Sequence, residues 1–182
     1  MNSNKKKYFI DYFIKLKSLI LPNDDNINKL ILAKKKILQL KKTGGKILIF
    51  GNGGSAAIAS HFAIDINKNT NFKCMNFSDS SHITCLSNDY GYEEWIKKSL
   101  DKFGQKQDIV ILISSSGMSK NMINAINKKK RYKSIITFTG FSKSNKLKNL
   151  GDINFYVNSS KYNYVENVHQ CWLLSLVDCL ID

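Results

Sequence analysis

Two different patterns of hydrophobic and polar positions divide the chain near residue 43. Before this point, apolar residues recur every three to four positions, which predicts two amphipathic helices separated at Pro22. After Gly44 and Gly45, short apolar runs alternate with segments of helical length. The runs are predicted to be strands at residues 46–50, 73–77, 108–113, 134–138 and 153–157. Helices are predicted at about 55–67, 92–103 and 119–130, and from about 163 to the end.

This alternation of strands and helices predicts an α/β fold. Three of the runs are almost continuously apolar, as expected of strands buried on both faces of a parallel sheet: 46–50, 109–113 and 135–138. Connections of helical length give right-handed crossovers that cover both faces of such a sheet. We expect a three-layer α/β/α domain with a five-stranded parallel sheet over residues 43–182. Residues 1–42 are expected to form helices that serve packing or oligomerisation.

Composition and charge exclude several classes of protein. The 182 residues are 43% hydrophobic, enough for the core of one domain, and no apolar run is long enough to cross a membrane. The net charge of +14 suggests nucleic-acid binding, but Arg131 is the single arginine among 28 basic residues, and the lysines are spread along the chain. Lysine is the weaker group for bidentate recognition of bases and phosphates. Nucleic acid is therefore not the expected partner.

The N-terminus and the cysteines predict a cytoplasmic protein. Lys5–Lys7 precede an apolar segment, as in a signal peptide, but Asp11 and two lysines interrupt that segment and no small-residue cleavage site follows. None of the four cysteines forms a CxxC motif or a recognisable disulfide framework. We therefore expect reduced thiols in a reducing compartment.

A glycine-rich loop, Gly51-Asn52-Gly53-Gly54-Ser55, lies between a predicted strand and a predicted helix. Its glycines let the backbone curl with its N–H groups exposed, and the helix that follows offers free amides and a positive dipole end to an anion. The glycine spacing fits neither the nucleotide P-loop nor the GxGxxG fingerprint, so no nucleotide is expected. A tight turn without a ligand is the alternative for this loop alone.

A second loop, residues 114–119, also follows a strand and precedes a helix, and it contains four serines. Serine hydroxyls and backbone amides can surround the oxygens of a phosphate without a cation. Taken alone, the loop could be a helix cap with solvated neighbours. Since open α/β sheets bind ligands beyond the carboxyl ends of their strands, the two loops together predict a small phosphorylated ligand. The predicted phosphate-binding residues are Asn52, Gly53, Ser55, Ser114, Ser115, Ser116 and Ser119.

Five motifs give the chain its resemblance to a known family: residues 51–55, 61–63, 88–91 and 114–119, and a closing helix with Glu166 and His169. They resemble the sugar isomerase (SIS) domain family and, more narrowly, its phosphoheptose isomerase branch. The resemblance implies a flavodoxin-like sheet, a homotetramer with sites between subunits, and zinc or another divalent metal. The implied reaction converts sedoheptulose 7-phosphate to D-glycero-D-manno-heptose 7-phosphate for heptose synthesis. The alternative is a non-catalytic SIS protein that binds a phosphosugar or a protein partner.

Aldose–ketose isomerisation needs a base, a group that polarises the oxygens, and a site that excludes water. His61 and Asp65 are four residues apart and share one helix face, as Glu166 and His169 do at a spacing of three. We predict that Asp65 or Glu166 abstracts the proton and that His61, with or without a metal, polarises the oxygens. The resemblance implies His61, Asp65 and Glu166 as metal ligands, and Asp89 and His169 as sugar contacts. For each histidine, a buried structural role is the alternative.

Four positions depart from the family pattern. Asp65 stands where the best-known members have a catalytic glutamate, and Glu166 stands where they have a glutamine ligand. Leu174, eight residues after Glu166, takes the place of the family's second histidine, and Asn69 takes the place of an arginine. We expect the phosphate-binding half of the site to be retained and the catalytic half to be altered.

Overall fold

Five parallel strands form the central sheet of the computed structural model, which describes residues 3–126 and 132–181. The strands are β1 (Ile47–Gly51), β2 (Cys74–Asn76), β3 (Ile109–Ser114), β4 (Ser134–Thr139) and β5 (Ile153–Tyr156). They lie in the order β2-β1-β3-β4-β5, and every neighbouring pair is parallel. This is the flavodoxin-like order, in which the direction of sheet growth reverses between β1 and β3. The predicted fold class is confirmed.

Helices cover both faces of this sheet. They are α1 (Ser3–Ile20), α2 (Asp24–Leu38), α3 (Leu40–Thr43), α4 (Gly54–Asn69), α5 (Ser80–Tyr90), α6 (Trp95–Phe103), α7 (Lys120–Ala125) and α8 (Tyr162–Ile181), with a 3-10 turn at Leu147–Asn149. Side chains alternate along β1, so Ile47 and Ile49 point to one face while Leu48 and Phe50 point to the other. The first face packs against α2, α4 and α8, and the second against α5, α6 and α7. The result is the predicted three-layer architecture.

The N-terminal helices share the core of the sheet. Ala33 and Ile37 of α2 are completely buried in the cluster formed by α4, α8 and the strands. The indole N–H of Trp172 on α8 donates to the carbonyl of Ile20 at the end of α1, at 2.8 Å. Packing is therefore one role of residues 1–42, and their separation as a domain stays a prediction. No helix of the described part of the chain combines the length and hydropathy needed to span a membrane.

The strands lie within one or two residues of their predicted bounds. The helices on the second face depart further from the bounds that the sequence predicts. No residue of α5 is fully buried, so the hydrophobic periodicity that would have predicted this helix is weak. Its start is set instead by Asp79, whose carboxylate accepts the backbone N–H groups of Ser81 and His82. The helix predicted at 119–130 is present as α7 from Lys120 to Ala125, and its remaining residues from 127 onward lie outside the described ones.

Candidate active site

The two predicted phosphate-binding loops meet at the carboxyl ends of β1 and β3, where the strand order reverses. They enclose an open cavity of about 270 Å³. Its lining residues are Asn52, Gly53, Gly54, Ser55, Ile113, Ser114, Ser115, Ser116, Ser119, Tyr162 and Glu166. All seven residues predicted to bind phosphate are among them. Tyr162 is a lining residue that sequence analysis missed, because a tyrosine at the start of a helix carries no specific signal.

The glycine loop brings the beginning of α4 directly to the cavity. A side chain at Gly51 would overlap the backbone of Ser55, so a glycine is needed where the strand turns into the helix. Gly53, the residue before α4, has φ +53°, a conformation that favours glycine. The N–H groups of Ser55 and Ala56 donate to the carbonyls of Asn52 and Gly53, both at 3.0 Å, which tightens the first turn of α4. The positive end of the helix dipole at this turn faces the cavity and favours an anion there.

The serine loop supplies hydroxyl groups from the other side. The hydroxyls of Ser114 and Ser119 lie 3.1 Å apart, so they share a hydrogen bond across the loop. The turn between them needs Gly117, which has φ +64° and whose N–H donates to the carbonyl of Ser114 at 3.0 Å. A side chain at Gly117 would also overlap the buried Asn145. The loop is thus held in a shape in which all four serines line the same cavity.

A network of side-chain amides connects the glycine loop to the start of α7, the helix that follows the serine loop. Asn52 and Asn121 each donate to the other's side-chain oxygen, at 3.1 and 3.0 Å. The hydroxyl of Tyr92, which follows the 88–91 motif, also donates to the Asn52 oxygen at 3.1 Å. Sequence analysis missed both partners, because neither residue type is distinctive at its position and both are distant from Asn52 along the chain.

Glu166 provides the only carboxylate among the described residues that line the cavity. It lies on α8 and faces Gly54 at the start of α4, so a side chain at Gly54 would overlap its carboxylate. The Ser115 hydroxyl lies 3.5 Å from one of its oxygens. Glu166 therefore stands beside the predicted phosphate position.

His61 and Asp65 lie further along α4, beyond the residues that line the cavity. The His61 Nε2 atom is 3.2 Å from an Asp65 carboxylate oxygen, and the Gln170 side-chain nitrogen is 3.4 Å from Nδ1. The side chain of His61 is 48% exposed and that of Asp65 is 29% exposed. Since Gly54 faces Glu166 and His61 faces Gln170, α4 and α8 run side by side in the same direction.

Comparisons with known proteins show which family the chain belongs to. A family model described as the SIS domain matches residues 8–140. A phosphoheptose isomerase from Glaesserella parasuis serovar 5 is 39% identical over 155 residues, which cover 81% of this chain and 80% of that protein. Another, from Helicobacter pylori strain P12, is 33% identical over 150 residues, covering 79% and 78%. The chain belongs to the phosphoheptose isomerase family of SIS-domain proteins.

Solved structures of phosphoheptose isomerases share the whole fold. The one from Neisseria gonorrhoeae superimposes with a TM-score of 0.86 at 26% identity, and 97% of each chain is covered. The one from Francisella tularensis gives 0.84 at 26% identity, with 100% of this chain and 99% of that one covered. The membership extends over the N-terminal helices as well as the sheet.

The structure does not assemble the predicted metal ligands of this family member. Among the described residues, no three His, Cys, Asp or Glu side chains lie close enough together to hold an ion. Glu166 stands level with Gly54, whereas His61 and Asp65 lie about two turns further along α4. The two ring nitrogens of His61 face different partners, Asp65 and Gln170. Leu174, one turn beyond Gln170 on α8, has no donor atom. Within one chain, these residues do not fit a metal centre.

The two predicted sugar contacts also lie outside the cavity. His169 is completely buried, because its position on α8 turns its ring toward the sheet, where its edge packs against Phe138. Its Nε2–H donates to the Thr139 carbonyl at 3.2 Å, and burial lowers its pKa to about 4. The ring of His169 therefore does not face the cavity, contrary to its predicted role as a sugar contact. Asp89 is exposed on α5 and accepts a hydrogen bond from Asn88.

Proposed function

We propose that this chain is an aldose–ketose isomerase that interconverts sedoheptulose 7-phosphate and D-glycero-D-manno-heptose 7-phosphate. The observation that carries the proposal is the cavity at the ends of β1 and β3, because all seven predicted phosphate-binding residues line it together. The relatives at 39% and 33% identity bear the name phosphoheptose isomerase, which supports this choice of sugar.

The phosphate group binds between the start of α4 and the serine loop. The lining residues include no cationic side chain, so amides and hydroxyls supply the hydrogen bonds. The net charge of +14 attracts the dianion from a distance, and the cavity fixes its position. The phosphate group, once bound, holds the rest of the sugar along the neighbouring helices.

The length of the substrate decides which residues reach the reacting carbons. An extended chain from the phosphate to C2 of a heptose 7-phosphate spans roughly 9 Å. Along α4, the distance from Ser55 to His61 is also about 9 Å, at 1.5 Å per residue. The reacting end of the sugar therefore lies beside His61, whose ring is 3.2 Å from the Asp65 carboxylate. Glu166 lies near the phosphate end and faces the carbons and hydroxyls next to it.

Of the two predicted bases, this distance favours Asp65. Its carboxylate removes the proton from the carbon next to the carbonyl group and returns it to the neighbouring carbon. When the sugar binds, Nδ1 of His61 exchanges its long contact with Gln170 for one with the substrate. His61 then exchanges protons with the two oxygens, one of which is a carbonyl in the ketose and the other a carbonyl in the aldose. Glu166 binds sugar hydroxyls and keeps the chain extended between the two ends. General acid–base help of this kind contributes about 10²–10⁴-fold to the rate.

The partial exposure of His61 and Asp65 to solvent supports an active site that is completed by another subunit. The outer face of α1 leaves large apolar side chains in water: Phe9, Ile10, Phe13 and Ile14 are each at least 50% exposed. A continuous apolar face of this kind is typical of a protein interface. We infer a homotetramer with sites between subunits, in which the exposed Asp89 reaches the sugar bound to a neighbour. The unpaired cysteines of the described chain support a cytoplasmic location.

The test is proton exchange at the substrate. In deuterated buffer, the isomerase is expected to place deuterium at C1 of sedoheptulose 7-phosphate and C2 of the aldose, followed by NMR. Leu174, which cannot transfer a proton, favours one second candidate, a non-catalytic protein that binds the phosphosugar. That protein would show the same affinity without exchange. Absence of both exchange and binding would refute the proposed function.

A further inference from the structure

Tyr162 bounds the outer end of the phosphate cavity. It begins α8, one turn before Glu166 on the same helix face, and both residues line the cavity. Glu166 faces Gly54 at the start of α4, and the two helices run in the same direction. Tyr162 therefore lies about 6 Å beyond the start of α4, at 1.5 Å per residue, on the side away from His61. The predicted phosphate position separates it from the rest of the sugar.

A second aromatic residue holds the ring of Tyr162. Phe141, in the loop after β4, packs against it with the ring centroids 4.8 Å apart and an angle of 59° between the planes. Among the described residues, the Tyr162 hydroxyl has no hydrogen-bond partner, so the packing of the ring sets its position. Tyr162 is 58% exposed although it lines the cavity, so it forms the rim of the opening.

The backbone of Phe141 has a conformation that is unusual for a bulky residue. Its φ is +57°, and no other non-glycine residue of the described chain has a positive φ. Its N–H donates to the Ser159 carbonyl and its carbonyl accepts the Tyr156 hydroxyl, both at 2.8 Å. The N–H of the preceding Gly140 donates to the carbonyl of Ser115, also at 2.8 Å. These bonds fix the strained residue beside the serine loop, as is typical of strain at ligand sites.

We propose that Tyr162 is a specificity-determining residue that blocks the site beyond the phosphate group and restricts it to terminal phosphate monoesters. This inference rests on the proposed function, which places the phosphate between the two loops. The one substituent on the phosphorus of a sugar phosphate points along α4 toward His61. A second substituent would have to leave through the rim that Tyr162 and Phe141 occupy. The wrong ligand is then rejected by a steric clash rather than by a missing bond.

The affinities of ribose 5-phosphate and ADP-ribose test this role. ADP-ribose is ribose 5-phosphate with adenosine monophosphate attached to its phosphate group, so the two probes differ only beyond the phosphorus. By calorimetry on the full chain, we expect the parent protein to bind ADP-ribose on the order of a hundredfold more weakly. Tyr162→Ala should reduce this ratio about tenfold by strengthening ADP-ribose binding. Tyr162→Phe keeps the ring, so its ratio should stay within about twofold of the parent value.

Phe141→Gly tests the support of the Tyr162 ring separately. Glycine adopts a positive φ without strain, so this variant removes the aromatic contact while the loop keeps its path. We expect its affinity ratio to lie between those of the parent protein and Tyr162→Ala. Phe103→Ala is the matched control, because Phe103 is a partly exposed aromatic residue at the end of α6, near the amino end of the sheet. Its ratio should equal that of the parent protein.

Equal affinities of the parent protein for the two probes would overturn the proposal, as would an unchanged ratio in Tyr162→Ala. If that variant does not fold, an unchanged ratio in Phe141→Gly has the same force. A parent protein that binds neither probe would overturn the proposal together with the proposed phosphate site. A parent protein with the expected ratio but without proton exchange at sedoheptulose 7-phosphate would refute the isomerase alone, and the role of Tyr162 would stand.

Discussion

The side-chain amides of Asn52 and Asn121 hydrogen-bond to each other in both directions and so join the loop after β1 to the start of α7, which follows the serine loop directly. Asn121 is only 3% exposed, and its oxygen also accepts the backbone N–H of Met122 at the start of α7. Each loop alone is a common way to connect a strand to a helix. The reciprocal pair fixes the distance between them, so that both can bind one phosphate group.

Replacing Asn121 with leucine should therefore weaken phosphate binding more than it weakens the fold. The variant removes both bonds to Asn52, so that Tyr92 is the one remaining hydrogen-bond partner of that side chain among the described residues. We expect the dissociation constant for inorganic phosphate, measured by calorimetry, to rise about tenfold, the equivalent of about 1.4 kcal/mol. Asn124→Leu is the control, because Asn124 lies one turn further on α7 and bonds to Glu93 and Glu94 instead. Equal affinities in the two variants would contradict a role for the pair.

Asp65→Asn and Glu166→Gln should affect different kinetic constants. The first variant removes the proposed base, so we expect kcat to fall by about 10²–10⁴-fold with little change in KM. The second keeps the shape of a residue proposed to bind sugar hydroxyls, so we expect mainly a higher KM. Deuterium exchange in a single turnover measures the proton-transfer step directly. Exchange at the parent rate in both variants would rule out the assignment of either carboxylate as base.

Phe13→Asp should dissociate the assembly and, with it, the activity. The Phe13 side chain is 63% exposed at the centre of the apolar face of α1, and a charge there cannot be buried in an interface without a large cost. We expect a smaller sedimentation coefficient and loss of most isomerase activity, with the monomer fold retained by circular dichroism. Lys15→Asp, an exposed position on the opposite side of the same helix, should change neither property. A fully active monomer would show that one chain completes the site.

The elements that carry the phosphate site could be predicted because their signals are local. The strands before both loops are continuous apolar runs, and each loop combines glycine or serine with the start of a helix. The topology then follows, since right-handed crossovers leave few arrangements for five strands. This is why all seven predicted phosphate-binding residues lie in one cavity.

The remaining site residues depend on contacts between distant parts of the chain. Asn121 meets a partner 69 residues away, and Gln170 meets one 109 residues away, so no local pattern distinguishes them from ordinary amides. His169 illustrates the opposite case. Its spacing of three from Glu166 suggested a shared face, but the inner side of α8 is buried against the sheet. Glu166 lines the cavity, whereas His169, three residues later on the same helix, lies in the core.

Asp108→Ala should destabilise the fold without a direct effect on the site. The Asp108 carboxylate is completely buried at the amino end of the sheet, away from the cavity. It accepts the N–H groups of Lys46 and Gln105 and the ammonium of Lys46, at 3.0, 2.9 and 2.7 Å. Removing one partner of such a buried network typically costs about 3–5 kcal/mol. Urea denaturation measures the loss, and an unchanged KM at low temperature would confirm that the active site is preserved.

The buried His169 should make the fold sensitive to acid. Its pKa is lowered from an ordinary value of 6.5 to about 4 because burial disfavours the charged ring, and Nδ1 has no hydrogen-bond partner among the described residues. The unfolded chain binds this proton at a higher pH than the folded chain does. The contribution of His169 to stability is therefore complete above pH 6.5 and is lost as the pH falls toward about 4, by up to about 1.4 kcal/mol per pH unit.

His169→Phe isolates this effect. Phenylalanine fills a similar space beside Phe138, and the Thr139 carbonyl that loses its histidine partner still accepts the backbone N–H of Val157 at 2.9 Å. Urea denaturation at intervals from pH 8 to pH 4 should give a steeper fall below pH 6.5 for the parent protein than for the variant. Parallel curves would mean that the ring becomes charged in the core without cost, which would contradict the burial of His169 as the cause of acid sensitivity.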